Sequence, residues 1–180
     1  MQQSGDLLYI VHKASALSAR YHILILSIAL LTLQACRQDP LFMPVPPEQS
    51  GIVFSNNIRE DSNINMLTYE YLYNGGGVGV GDFNNDGRPD LYFTASLGPN
   101  ALYLNEGGLR FRDVTTASGT DGAGRWSRGV AVLDINNDGL QDIYVCAGTW
   151  QVADMRRNLL YVNTGVDPAT GLSRELADIR

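Results

Sequence analysis

Two nine-residue stretches of this chain carry oxygen-bearing side chains at a spacing that suits a hard metal ion. They are Asp82-Phe-Asn-Asn-Asp-Gly-Arg-Pro-Asp90 and, 52 residues later, Asp134-Ile-Asn-Asn-Asp-Gly-Leu-Gln-Asp142. Loop positions 1, 3, 5 and 9 are Asp82, Asn84, Asp86 and Asp90 in the first loop, and Asp134, Asn136, Asp138 and Asp142 in the second. Calcium takes about six to eight oxygen ligands, which alternate residues of a tight loop can supply. The spacing therefore predicts two calcium sites.

The glycine in each stretch supports a loop, although it does not by itself require a metal. Gly87 and Gly139 occupy position 6, where the chain must turn sharply and φ can be positive. The alternative is a plain hairpin turn, because Asn, Asp and Gly are favoured in turns with or without metal. A turn does not require Asp at position 9, which favours the metal. An EF-hand is excluded because position 12 holds Phe93 and Val145 instead of Glu, and the flanks resemble strands.

Both stretches belong to a longer internal repeat. Residues 77–94 and 129–146 are identical at ten of eighteen aligned positions, and Asn100–Gly107 resembles Asn158–Gly165. The second copy has six extra residues around Thr149–Arg157, which we expect to form an exposed loop. Apolar residues alternate with a period of two over four short segments of each unit, ending in the first unit with Phe111, Asp113 and Thr115. This pattern predicts one four-stranded antiparallel sheet per unit.

The predicted fold class is all-β: two four-stranded antiparallel blades of an incomplete β-propeller, after a signal segment and a Pro-rich tether. Repeats of this length with four strands are typical of propeller blades, whereas a β-sandwich leaves the repetition unexplained. The predicted domains are a lipoprotein-type signal peptide at 1–36, the tether at 37–51, a lead-in strand region at 52–77, the first blade at 78–127 and the second at 128–180.

The N-terminus has the features of a secretory signal. Lys13 and Arg20 precede an apolar run at residues 23–33 that is too short to span a bilayer. The run ends in Leu33-Gln-Ala-Cys36, which resembles a bacterial lipobox and predicts lipidation of Cys36. A signal peptide without lipid and a short membrane anchor are the alternatives, and all three place the remaining chain outside the cytoplasm. The four prolines between residues 40 and 47 predict an extended spacer without helix or central strand.

Composition excludes several classes of function. Counting from Cys36, the chain has 18 acidic residues (19 less Asp6) and 11 basic ones (13 less Lys13 and Arg20), which argues against nucleic acid as a partner. Both histidines precede Cys36, so catalytic triads and histidine-ligated zinc or iron sites are excluded from the remainder. Cys146 is the remaining thiol, and we expect it to be buried and inert in a strand.

The glycine-rich run Gly75-Gly-Gly-Val-Gly-Val-Gly81 is not a dinucleotide fingerprint. It does not close a Gly-x-Gly-x-x-Gly register, and an acidic loop follows it instead of a helix. We expect these glycines to let neighbouring backbones approach closely near the propeller axis.

Several motifs together resemble a known family. These are residues 69–87, Leu102-Tyr-Leu-Asn105, Phe111-Arg-Asp-Val-Thr115 and Trp126-Ser-Arg-Gly129. They are similar to FG-GAP/VCBS repeat proteins, more narrowly to the ASPIC/UnbV, cartilage-acidic-protein-like family, and more distantly to integrin α-subunit propellers. The resemblance implies Ca²⁺ at both loops, with the carbonyls of Arg88 and Leu140 as extra ligands. It also implies a bacterial cell-envelope location, as an outer-membrane lipoprotein.

The chain also departs from that family. Such propellers usually have about seven blades, and residues 171–180 lack the aromatic residue and the alternation of a closing strand. We therefore expect an N-terminal fragment of a longer protein, truncated near residue 170. Its blades should have bare outer faces, with Val78, Val80, Val130 and Val132 partly exposed.

Three functional hypotheses follow. The first is a calcium-binding, lipid-anchored module that binds extracellular protein or glycan and has no catalytic residues of its own. The second is part of a larger envelope enzyme whose catalytic residues lie outside this chain. The third is a structural scaffold. The carboxylates are spaced for a cation rather than for acid and base catalysis, which favours the first and third hypotheses.

Overall fold

The computed structural model of this chain describes Tyr21, His22, Leu24 and residues 40–122, 124–148, 152–165 and 176–178. The chain divides into two compact units, Met1–Pro44 and Val45–Arg180, and the repeats lie in the second. In the first unit, Tyr21, His22 and Leu24 are helical and residues 41–43 are exposed. Cys36 and most of the predicted signal segment lie outside the described residues.

The second unit contains two four-stranded antiparallel sheets, so the predicted fold class is confirmed. The first sheet comprises β1 (Val78–Gly81), β2 (Asp90–Phe93), β3 (Ala101–Gly107) and β4 (Arg110–Asp113). The second comprises β5 (Ser127–Leu133), β6 (Asp142–Ala147), β7 (Leu159–Asn163) and β8 (Leu176–Asp178). In both sheets each strand pairs with the next along the chain. In this meander β1 and β4 are the edge strands of the first sheet, and β5 and β8 are the edge strands of the second.

The last strand corrects the expectation that the second repeat lacks its closing strand. Asn163 pairs with Leu176 and Tyr161 pairs with Asp178. The first sheet has the equivalent pairs, Asn105 with Phe111 and Tyr103 with Asp113. The sequence signal is Leu-Ala-Asp-Ile at residues 176–179, in place of Phe-Arg-Asp-Val at 111–114. It was missed because leucine replaces the aromatic residue and a longer connection precedes it.

The hydrophobic core lies between the two sheets, so each repeat buries one face against the other. It consists of Phe83, Tyr92, Leu102, Leu104, Val114, Ile143, Val145, Leu159 and Tyr161, with Val130 and Val132 packed against it. The rings of Tyr92 and Tyr161 meet across the interface in a T-shaped contact, with 6.4 Å between their centroids. Residues from all four strands β2, β3, β6 and β7 therefore share one core, as expected of neighbouring blades.

Glycines of β1 allow the two sheets to approach closely, as the sequence predicts. A Cβ added at Gly79 would lie 3.1 Å from a methyl group of Val132 and 3.2 Å from one of Val130. Val78 and Val80 alternate with these glycines and point away from the interface, where they are 56% and 57% exposed. Any larger residue at position 79 would have to push β5 outward.

The outer face of the first sheet is partly covered, which corrects the expectation that it is bare. The chain after residue 51 crosses it without regular secondary structure, and Phe54 stacks on Phe93 with 5.0 Å between ring centroids. Tyr103 is only 1% exposed beneath this segment, and the amide of Ser96 donates to Asn56 Oδ1 at 2.9 Å. The predicted lead-in strand region therefore covers the sheet with side chains and does not join it as a paired strand.

The outward face of the second sheet is open to solvent. We use that name for Ala131, Tyr144, Cys146, Leu160 and Val162, which share the side of the sheet away from the core. Ala131 and Cys146 are exposed and the other three are half-buried. The expectation that Cys146 is buried is wrong, because β6 alternates and turns Ile143 and Val145 toward the core instead.

Short helical turns also differ from the sequence prediction. Helix α1 (Pro47–Ser50) forms within the Pro-rich tether, because a proline is tolerated at the first helical position. Strand β4 ends at Asp113 rather than Thr115, because Asp113 Oδ1 accepts hydrogen bonds from the Thr115 amide and hydroxyl. Helix α2 (Thr115–Ser118) follows directly. The extra residues of the second repeat include an exposed 3₁₀ turn, Ala153–Arg156.

Candidate metal-binding loops

The first loop connects β1 to β2 and is organised by its first aspartate. Asp82 Oδ1 accepts the Asp86 amide at 2.9 Å, and its Oδ2 accepts the Gly87 amide at 2.7 Å. Asn84 Oδ1 also accepts from the Asp86 amide, at 3.2 Å, and Asp86 Oδ1 accepts from the Arg88 amide at 2.9 Å. The backbone amides of the loop thus point inward and donate to the side-chain oxygens at positions 1, 3 and 5.

The second loop, between β5 and β6, repeats this arrangement bond for bond. Asp134 accepts the amides of Asp138 and Gly139 at 3.1 and 2.9 Å. Asp138 Oδ1 accepts the Leu140 amide at 2.8 Å. Gly139 has φ of 86°, and Gly87 has φ of 82°, so the glycine at position 6 adopts the positive φ that the sequence predicts.

Position 4 of each loop also has a positive φ, which was not predicted from the sequence. Asn85 has φ of 56° and Asn137 has φ of 57°. Asparagine is enriched in this left-handed region, because its short polar side chain can hydrogen-bond locally. The asparagine at the fourth position of both loops is the sequence feature that could have predicted this positive φ.

The position-9 aspartates have a different role from the others, because they point into the sheets. Asp90 Oδ2 accepts the Phe83 amide at 2.9 Å and Oδ1 accepts the Asn105 amide at 2.7 Å. Asp142 is bound in the same way by the amides of Ile135 (2.8 Å) and Asn163 (2.7 Å). Both aspartates are 0% exposed. They tie the start of each loop to the third strand of its sheet.

Burial raises the pKa of Asp90 to about 6, although the amides of Asn105 and Phe83 act in the opposite direction. The nearby carboxylates of Asp86 and Asp82 also raise the pKa of Asp90. An electropositive group in the loop would offset this concentration of negative charge.

The donor set of each loop fits a hard cation such as Ca²⁺ in type. Positions 1 and 5 offer carboxylate oxygens and position 3 an amide oxygen, at the solvent-facing end of the sheet. In the part of the chain that the structure describes, however, no three His, Cys, Asp or Glu side chains form a ready-made metal centre. The position-9 carboxylates are already engaged by two amides each, so they would have to be shared with an ion. The metal assignment of the ten predicted residues therefore stays a prediction.

Cross-sheet contacts near the loops were not predicted from the sequence. The Asp82 amide donates to Gln141 Oε1 of the second loop at 2.5 Å. Asn163 Nδ2 donates to the Phe83 carbonyl of the first loop at 2.8 Å. Asn163 is 1% exposed, and its backbone amide donates to Asp142 Oδ1. The first loop is therefore joined both to the second loop and to β7 by hydrogen bonds that depend on the packing of one sheet on the other.

Residues 82–145 match the family model of the FG-GAP-like repeat. Over 114 residues the chain is 32% identical to cartilage acidic protein 1 of Xenopus tropicalis, which covers 63% of this chain and 16% of that protein. It is 31% identical over 100 residues to cartilage acidic protein 1 of Homo sapiens, covering 56% and 14%. It is also 37% identical over 121 residues to integrin alpha-8 of Gallus gallus, covering 58% and 12%. The chain thus spans about one sixth or less of the length of these curated relatives.

These matches agree with the two-sheet structure, since FG-GAP repeats are β-propeller blades. FG-GAP repeats, as in integrins, suggest an extracellular β-propeller binding module. Within the described residues, we find no helix with the length and apolar character needed to cross a bilayer.

Proposed function

We propose that this protein has a calcium-dependent binding function outside the cytoplasm. It is an FG-GAP-like repeat protein, and about 60% of its length is homologous to cartilage acidic protein 1 of the ASPIC/UnbV family. In this proposal both loops bind Ca²⁺, and the surface of the blades binds an extracellular protein or glycan. A lipid on Cys36 tethers the chain to the bacterial cell envelope, at the outer membrane.

The observation that carries the proposal is the duplicated loop geometry. The same amides are bound by the position-1 and position-5 aspartates in both loops, although the residues at positions 2, 7 and 8 differ. The proposed ligands are Asp82, Asn84, Asp86, Asp90 and the Arg88 carbonyl in the first loop, and Asp134, Asn136, Asp138, Asp142 and the Leu140 carbonyl in the second. Bound calcium would neutralise the aspartates and cross-link the loop, which stabilises the blade.

Removal of calcium tests this proposal. With four side-chain ligands and no bidentate Glu, we expect dissociation constants of about 10⁻⁴–10⁻³ M. At millimolar calcium and a constant near 0.1 mM, each site adds about 1.4 kcal/mol to the free energy of unfolding. We therefore expect the Tm of the full chain to fall by about 5–10 °C when EDTA replaces 1 mM calcium.

Magnesium is the control, because its smaller, octahedral coordination suits such a loop poorly, so it should not restore the Tm. Superimposable melting curves in calcium and in EDTA would mean that the loops are ordinary turns.

The candidate binding surface is an exposed aromatic loop before β1, which we call the tyrosine loop (residues 66–73). Leu72 is 0% exposed and anchors it, while Tyr71 and Tyr73 are 59% and 60% exposed. Arg128 Nη2 donates to the Tyr71 carbonyl at 3.2 Å, which places the loop at the start of β5, away from the metal loops. Exposed tyrosines are frequent at recognition surfaces, because the ring is apolar and the hydroxyl can hydrogen-bond.

Binding to a glycan array and to extracellular matrix proteins would test this surface. The variants Tyr71→Ala and Tyr73→Ala should lose binding, whereas Val53→Ala, which is 74% exposed elsewhere, should retain it. Equal binding by all variants would place recognition on another surface.

Lipidation of Cys36 has its own test, since this residue lies outside the described part of the chain. Expression in a bacterial host should give a membrane-associated product with the mass of a lipidated chain. Cys36→Ala should leave an unprocessed precursor. A soluble product cleaved at another site would contradict the lipid anchor.

A further inference from the structure

The two loops differ at position 7, where the first has Arg88 and the second has Leu140. Arg88 Nη2 lies 2.7 Å from Asp86 Oδ2, at position 5 of its own loop. Its Nε donates to the Asn105 carbonyl at 2.9 Å, near the end of β3. Two separate partners therefore hold the guanidinium in place, and a positive charge already sits on one of the loop carboxylates.

The equivalent carboxylate of the second loop has no such partner. Asp138 Oδ2 accepts from Asn136 Nδ2 at 2.7 Å, as Asp86 Oδ2 does from Asn84 Nδ2 at 2.9 Å. Leu140 contributes only its amide to Asp138. Among the described residues, no basic side chain forms an ion pair with Asp134 or Asp138. The second loop thus keeps the negative charge that Arg88 compensates in the first.

We propose that Arg88 determines the difference in calcium affinity between the loops: it acts as an internal cation in the first loop and leaves the second as the tighter site. This inference rests on the proposed calcium function. The loops differ at positions 2, 7 and 8, and of these only position 7 places a charged side chain on a loop carboxylate. Calcium binding to the first loop must displace the guanidinium from Asp86 or tolerate its repulsion.

The expected size of the difference follows from the exposure of the pair. The side chain of Arg88 is 49% exposed and that of Asp86 is 23% exposed. An ion pair this exposed is weak because solvent screens it, and the repulsion between the guanidinium and calcium adds to its effect on binding. We therefore expect the first loop to bind calcium about three- to tenfold more weakly than the second.

Calorimetric titration of calcium into the full chain and five variants tests the proposal. Asp138→Ala should remove the tighter phase and Asp86→Ala the weaker one. Arg88→Leu should tighten the weaker phase about three- to tenfold, and Leu140→Arg should weaken the tighter phase by a similar factor. Arg88→Gln, which removes the charge but keeps a hydrogen-bonding side chain, should behave like Arg88→Leu if charge is the cause. Melting curves in EDTA verify that each variant is folded.

The outcomes separate the two claims. If both loops bind with equal affinity, and neither exchange at position 7 changes it, the role of Arg88 is refuted while calcium binding stands. Tighter binding by the first loop than by the second also refutes it. If neither the parent chain nor Arg88→Leu takes up calcium, the proposed function fails and this inference fails with it.

Discussion

Two adjacent glycines before β1 differ in how strictly they are required. A Cβ on Gly76 would overlap the carbonyl oxygen of Thr94, a backbone atom that cannot easily move, whereas a Cβ on Gly75 would meet nothing within 4 Å. We predict that Gly76→Ala lowers the free energy of unfolding by about 2–3 kcal/mol, because the strain falls on backbone. Gly75→Ala should change it by less than about 0.5 kcal/mol. Urea denaturation measures both, and equal effects would contradict the overlap.

Residue types in the loops could be predicted well, but their individual roles could not. The positive φ of the turn glycine was predicted correctly, because it depends on contacts within nine residues, whereas the metal-binding role of Asp82 and Asp86 stays a prediction. The inward role of Asp90 depends on the Asn105 amide fifteen residues away, so it became visible only with the sheet in place. The ion pair between Arg88 and Asp86 was not predicted either, because the resemblance implied a role only for the carbonyl of Arg88.

At the scale of elements, one buried asparagine connects the sheets more strongly than its counterpart. Asn163 Nδ2 donates to the Phe83 carbonyl across the interface, and both residues are at most 1% exposed. Asn105 holds the equivalent position in the first sheet, but it is half-buried, and its Nδ2 donates to the Pro89 carbonyl of its own loop at 2.9 Å. The two positions therefore form a matched pair for mutation.

We predict that Asn163→Ala destabilises the chain by about 2–3 kcal/mol, because it removes a hydrogen bond between the sheets and leaves a cavity where a fully buried side chain was. Asn105→Ala should cost about 1 kcal/mol or less, since water can replace its amide. Chemical denaturation of the two variants checks this. A larger effect at Asn105 would show that the contact between the sheets contributes little.

Strands were predictable where alternation was strong and failed where it was weak. The segments around Val78, Leu91 and Leu102 carry the period-two pattern and form β1, β2 and β3. Strand β8 was missed because Leu176–Asp178 is short and lacks an aromatic residue, and its pairing with β7 supplies the register that local sequence does not. The covering role of Phe54 depends on a ring 39 residues away, which no local pattern indicates.

At the scale of the whole molecule, the two sheets use their faces unequally. The first sheet is covered on one side by the second sheet and on the other by the segment after residue 51. The outward face of the second sheet, as defined above, is half-exposed and apolar. On this face the hydroxyl of Tyr144 accepts a hydrogen bond from Asn158 Nδ2 at 2.6 Å. At the buried interface, the hydroxyl of Tyr92 accepts the equivalent hydrogen bond from Asn100 Nδ2 at 2.9 Å. The exposed face therefore repeats a feature of the face that is already packed.

We predict that this face makes the chain associate as its concentration rises, because exposed apolar surface on a sheet favours contact. Leu160→Lys should shift the chain toward monomer in size-exclusion chromatography, whereas Ala153→Lys, at an exposed turn, should not. A reducing agent should be present, since Cys146 lies on the same face. A monodisperse monomer at every concentration would contradict this prediction and favour a self-sufficient two-sheet domain.

Hydrogen exchange at the loop amides, with and without calcium, tests the central claim most directly. The amides of Asp86, Gly87, Asp138 and Gly139 are bound by the position-1 aspartates, so an ion that fixes those carboxylates should slow their exchange. We predict that 1 mM calcium slows exchange at both loops and that the decrease in rate is larger in the second loop than in the first. The amides of β3 and β7 should be less affected. Exchange that calcium leaves unchanged at all four amides would contradict a calcium-dependent function for this chain.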